Sequence, residues 1–153
     1  MITISAPPTV VLDRIDDILN IIGLKGNFSV MAANINNAAA MVYGSKRLIL
    51  LNPYFMRAVQ NKSGSEWTSY SILAHEIGHH LNGHTIASKH SSHQNELEAD
   101  EFLGFILGKL GANLSDAQIA MSLIATPYDS FTHPSKQKRL TAISKGWNRA
   151  KFY

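Results

Sequence analysis

His75-Glu76-Ile77-Gly78-His79 constrains the fold of this chain more than any other stretch. Two imidazoles four residues apart, with a carboxylate beside the first, form a working group on a helix. There, positions four apart share a face with their Cβ atoms about 6 Å apart. Neutral imidazoles at that spacing can share one zinc ion at about 2.0–2.1 Å per bond. Glu76 projects about 100° round the helix from His75, within reach of a metal-bound water and without having to ligate the metal. The chain must therefore carry this segment as a helix and bring a third ligand to it from another element, leaving a fourth position open for hydrolytic chemistry.

The third ligand is expected from Asn95-Glu96-Leu97-Glu98-Ala99-Asp100. Glu96 and Asp100 are four apart and share a helical face, whereas Glu98 points about 200° away from Glu96. Glu96 is assigned as the ligand. Asp100 is then placed to accept the far N–H of a ligating histidine and so hold the ring's tautomer. His90 and His93 are alternative third ligands in a polar, Ser/His-rich stretch over 85–94, expected to be a loop. A loop is a poor mount for a rigid site. The longer pattern H-E-x-x-H-x-x-G-x-x-H fails, because Asn82 and Thr85 stand where it needs Gly and His.

Taken together, His75-Glu-Ile-Gly-His79 and Glu96-Leu-Glu-Ala-Asp100 resemble the M48 peptidases, a group of gluzincins. Thr132-His133-Pro134 followed by Arg139 is similar to that family's T-H-P-x-x-x-x-R, and Asn37-Ala38-Ala39-Ala40 to its N-A-x-A strand. His84, five residues past His79, also recurs there. The resemblance runs from about residue 34 to residue 140, in the family's order. It implies one Zn²⁺ per chain and an endopeptidase acting on extended or unfolded polypeptides. It makes Glu76 the general base and His133 a second stabiliser of the oxyanion, or a latent fourth metal ligand. It makes Arg139 the group that orients the His133 segment or a site carboxylate, and Ala38, Ala39 and Ala40 an edge strand over the cleft, which an extended substrate can join. A zinc-binding interaction module without turnover is the alternative, and the intact Glu76 speaks against it because a closed structural site has no use for a base.

The remaining sequence frames this site. At 153 residues, a single α+β domain over 1–153 is expected, helix-rich and zincin-like with a small antiparallel sheet. There is no cysteine, so a metal must rest on His and carboxylate ligands. The net charge of +3 comes without a dense Lys/Arg stripe, which argues against a nucleic-acid partner. No charged n-region with a long apolar run stands at the start, and no run approaches the roughly 20 apolar residues of a membrane span. The expectation is a cytoplasmic protein, or the catalytic unit of a longer or exported chain, with a regulatory domain or partner left open.

Apolar spacing at Val11, Leu12, Ile15, Ile18, Leu19 and Ile22 predicts a first helix stopped by Gly23. Alternation over 27–33 predicts a strand, and 38–43 and 47–51 around Gly44-Ser45 a hairpin. Asn52-Pro53 should start a short helix through Val59, and Ser63-Gly-Ser-Glu66 a capping box for the helix that bears the motif. A second site helix over 96–110 stops at Gly111, a helix capped by Ser115 runs to about 125, and Pro134 opens a last one. Gly78 should mark close approach by a neighbouring element.

Overall fold

The computed structural model describes residues 1–87 and 92–153. In chain order they form β1 (Ile4–Ser5), α1 (Thr9–Ile22), β2 (Ser29–Ala33), β3 (Ala38–Tyr43), β4 (Lys46–Leu51), α2 (Pro53–Ser63), α3 (Trp67–Leu81), the short α4 (His84–Ala87), α5 (His93–Leu110), α6 (Leu114–Ile124) and α7 (Lys136–Arg149), ending in a 3₁₀ turn, Ala150–Phe152. The class is α+β, as expected.

The sheet is mixed, which corrects the antiparallel expectation. Its order is β1-β2-β4-β3, and β2 runs parallel to β4, pairing Val30 with Ile49 and Ala32 with Leu51. The β3–β4 hairpin folds back so that β4 lies centrally. Ile49, Leu50 and Leu51 are all buried, a continuous apolar run that suits a strand covered on both faces. β3 is left at the edge, with Ala38 opposite Leu51 and Tyr43 opposite Lys46 across the Gly44-Ser45 turn. Gly44 supplies the positive φ (61°) that this two-residue turn needs.

Local signals explain most boundaries. Asn52 caps α2 by accepting from the Tyr54 and Phe55 amides, and its Nδ2 donates to the Ile35 carbonyl at 2.8 Å, tying the helix start to the approach to β3. The capping box is not used. Ser63 closes α2, with its hydroxyl on the Gln60 carbonyl, and Gly64 turns the chain at φ 69°. Ser65 then accepts from the Trp67 amide at the start of α3. Asn113, rather than Ser115, caps α6, and α7 opens at Lys136 with Ser135 as its cap, two residues past Pro134. The expected loop over 85–94 holds α4, and α5 begins at His93, three residues earlier than predicted.

α3 is the hub, touching α1, α2, α5, α6 and the β3–β4 hairpin. Leu73 and Ile77 on α3, Leu103, Ile106 and Leu107 on α5, Ile49 and Leu51 on β4 and Ile143 on α7 make a fully buried centre. Gly78 lets α5 approach: a Cβ there would lie 3.0 Å from Phe102 and 3.3 Å from the Ala99 Cα. α5 and α7 form the most extensive helix pair. A Cβ on Gly104 would fall 2.0 Å from the Ile143 carbonyl oxygen, and one on Gly146 1.8 Å from that of Glu101. On α5, Glu96, Asp100, Gly104 and Gly108 recur at every fourth residue, so one stripe carries site carboxylates at one end and the helix clasp at the other.

Candidate metal centre

α3 presents His75 and His79 on one face, and α5 crosses it to present Glu96. His75 Nε2 lies 2.9 Å from Glu96 Oε2 and 3.1 Å from His79 Nε2, and the third side, His79 Nε2 to Glu96 Oε2, is 3.5 Å. Two donors 2.0–2.1 Å from a tetrahedral zinc stand about 3.3 Å apart, so the triangle has the dimensions of a metal's three-donor face. Among the described residues, these three are the group of His and carboxylate donors able to hold a metal ion.

Electrostatics favour a cation at the same point. Burial alone would push the His75 imidazole down, yet hydrogen bonds to Asp100 and Glu96 carry its pKa up to about 10. Burial pushes the Glu96 carboxyl up, and His75 and His79 hold it well below the usual carboxylate range.

Asp100 takes the predicted place. His75 Nδ1 donates to Asp100 Oδ1 at 2.8 Å, which leaves Nε2 turned to the cluster. Arg139, from α7, grips the same carboxylate through Nε (2.8 Å to Oδ2) and Nη2 (3.1 Å to Oδ1), and Nη2 also lies 3.5 Å from Glu96 Oε2. Of the two kinds of partner expected for Arg139, its contacts are with the carboxylates. The contact is buried: Asp100 is 0% and Arg139 6% exposed.

Glu76 is 5% exposed, and its Oε2 is buried without a hydrogen-bond partner among the described residues. Burial pushes its pKa up, against the pull of His75 and His79. Its side chain forms the wall of a cavity of about 130 Å³ together with His75, Glu96, His133 and Ala38, with an apolar side of Phe55, Ile72, Leu103 and Met121.

His133 faces this cavity but does not begin a helix; it sits two residues before the α7 cap, with its side chain 52% exposed. Its Nε2 is 3.9 Å from Glu96 Oε1, outside the three-donor group, and its Nδ1 lies 2.7 Å from the Thr132 hydroxyl. Ala38, Ala39 and Ala40 lie on the edge strand as expected. The Tyr43–Lys46 turn pair and the Asn52 amide on the Asn37 carbonyl (2.8 Å) phase the ladder, so Ala38 and Ala40 turn their N–H and C=O groups to the free edge and Ala39 turns its own inward.

His93 lies outside the three-donor group. In the first turn of α5 its Nε2 donates to the Ser130 carbonyl at 2.8 Å, tying α5 to the His133 loop. His90 lies outside the described residues. Two histidines were given no role by the sequence reading. His80 is buried and donates from Nε2 to the Leu48 carbonyl at 2.8 Å, pinning α3 to β4. His84 Nδ1 lies 2.9 Å from His79 Nδ1, and its Nε2 is 2.7 Å from Glu98 Oε2. The spacing signals for His84 were present, five residues after His79 and with an acid two residues past Glu96, but the contact joins elements whose packing no spacing states.

No helix among the described residues is long and apolar enough to cross a membrane. In comparison with known proteins, the chain matches no family model and no curated protein.

Proposed function

We propose that the chain is a zinc-dependent endopeptidase that cuts extended or unfolded polypeptides, on the plan of the M48 peptidases its motifs resemble. One observation carries the reading: Glu76 keeps a buried carboxylate oxygen, Oε2, without a hydrogen-bond partner among the described residues, in a cavity wall beside the three-donor cluster. A buried carboxylate oxygen left without a hydrogen bond is costly, and a metal site that serves only structure has no need of it.

Zinc held by His75, His79 and Glu96 would supply a Lewis acid, polarising a scissile carbonyl and lowering the pKa of a water molecule to about 7. Glu76, its basicity raised by burial, is the group that takes the proton of the attacking water at Oε2. The water oxygen bonds to the carbonyl carbon, the C–N bond breaks, and Glu76 returns the proton to the leaving nitrogen. The Thr132 hydroxyl, 2.7 Å from His133 Nδ1, can donate there and leave the proton on Nε2. That N–H, in the cavity wall, is placed to donate to the developing oxyanion. The outward backbone groups of Ala38 and Ala40 align the substrate as an added strand, and their small side chains leave it room.

The test is degradation of casein by the wild type and by Glu76→Gln, each assayed for bound zinc. The variant should keep its metal and cut about 10²–10⁴-fold more slowly. Equal cleavage by the two proteins would refute the role of Glu76.

A further inference from the structure

We propose that Glu98 and His84 form a positioning relay for His79, holding that ring's Nε2 lone pair toward the point where His75 and Glu96 converge. The proposal rests on the metal reading of the cluster and adds two residues to it.

The contacts run in one line. Glu98 Oε2 lies 2.7 Å from His84 Nε2, and His84 Nδ1 lies 2.9 Å from His79 Nδ1. At the far side of the second ring, His79 Nε2 is 3.1 Å from His75 Nε2 and 3.5 Å from Glu96 Oε2. An ionised carboxylate only accepts hydrogen bonds. The proton between Glu98 and His84 therefore belongs to His84 Nε2. With one proton on the His84 ring, its Nδ1 accepts, and its partner there, His79 Nδ1, carries the next proton. His79 is left with a bare Nε2, the form a metal ligand requires. With one proton per ring, each proton position follows from the one before it, beginning at the carboxylate.

On His75 the far nitrogen, Nδ1, is held in a single step by Asp100, which is fully buried and shared with Arg139. The relay to His79 has a different character. The His84 side chain is 8% exposed and that of Glu98 is 40% exposed, so the tautomer of one ligand is set from the protein surface. The Gln94 amide, 3.1 Å from Glu98 Oε1, steadies the carboxylate. Gly83, at φ 75°, turns the chain between His79 and His84. α5 thus serves the cluster twice, with Glu96 directly and with Glu98 from another face through His84.

The test uses the full chain, stripped of metal, as wild type, Glu98→Ala and His84→Phe, with Glu101→Ala as an α5 carboxylate outside the relay. Zinc affinity is read by competition with a chromogenic chelator, and the His79 tautomer by long-range ¹⁵N–¹H correlation in the metal-free protein. Both relay variants should bind zinc about 10–100-fold more weakly and lose the pure Nδ1–H tautomer at His79, while Glu101→Ala changes neither. Unchanged affinity and tautomer in the relay variants would overturn the relay and leave the metal reading standing. A wild type that binds no zinc would overturn the metal reading, and the tautomer arm would still decide the relay: a shift at His79 supports it, none refutes it. Glu98→Ala alters a part-exposed side chain, so it decides the question even if His84→Phe does not fold.

Discussion

Gly146→Ala is a substitution that helix propensity and packing judge with opposite signs. In a helix interior, alanine is favoured over glycine by about 1 kcal/mol. At Gly146, however, the new Cβ would lie 1.8 Å from the Glu101 carbonyl oxygen and 2.8 Å from the Phe105 amide nitrogen, both backbone atoms of α5. Carbon normally approaches a carbonyl oxygen no closer than about 3.3 Å, so the two helices must part locally by about 1.5 Å. Overpacking of this kind costs roughly 1–3 kcal/mol. The same displacement, carried two turns along α7, would draw Arg139 Nε from 2.8 Å to hydrogen-bond failure at Asp100, loosening a buried ion pair as well. We expect a net loss of about 2 kcal/mol or more, which for a chain of this size lowers the melting temperature by about 4–8 °C. Far-UV circular dichroism melts measure it, with Lys145→Ala, an exposed neighbour, expected to shift by under about 0.5 kcal/mol. A Gly146→Ala protein that melts at or above the wild-type temperature would show that propensity outweighs the clash, and the close packing of α5 on α7 would be refuted.

Three further outcomes follow from other features. Arg139→Met leaves the Asp100 carboxylate buried without its cation and should cost about 3–5 kcal/mol in urea unfolding; a loss under about 1 kcal/mol would make the pair no stronger than a surface contact. Ala39→Pro removes an amide that β4 uses and should markedly destabilise the sheet, whereas Ala40→Pro removes one facing the free edge and should keep most of the wild-type stability while slowing cleavage of unfolded substrates; equal destabilisation would overturn the register. Tyr70 is pushed up to about 12 by burial and by its 2.6 Å hydrogen bond to Asp17. Its folded-state pKa exceeds the unfolded value of about 10, so its contribution to stability is full below pH 10 and is lost as pH rises toward 12. The absorbance difference between wild type and Tyr70→Phe at 295 nm should therefore titrate near 12, and a midpoint near 10 would refute the contact.

The parts of the fold that local chemistry writes were legible. Helix periodicity at Val11–Ile15–Ile18, the Gly44-Ser45 turn, the Asn52-Pro53 cap and the every-fourth-residue placement of His75 and His79 and of Glu96 and Asp100 all reappear in the structure. What was missed depends on partners distant in the chain. The parallel pairing of β2 with β4 follows from where the hairpin folds, and β1 is two exposed residues with no pattern of their own. Ser63-x-x-Glu66 satisfies a capping box on paper, but the preceding helix had already claimed Ser63. Arg139 was expected to orient a loop or a carboxylate; its choice of Asp100 is decided by how closely two glycines let α7 approach. The His84–Glu98 contact crosses from α4 to α5, and Glu98 seemed remote only because its angle was judged on α5 alone.

The clasp of α7 on α5 also sets an order of events. His75 and His79 are close in the chain, but Asp100, which orients His75 and has no exposed surface, receives its counter-charge from Arg139, 39 residues later. Until α7 docks, burying Asp100 and Glu96 beside one another means burying two carboxylates without that cation, a state strongly disfavoured in a low-dielectric interior. The cluster can therefore take its final form only with α7 docked. During synthesis the nascent chain carries the complete His-Glu-x-x-His segment well before it carries the arginine that neutralises Asp100.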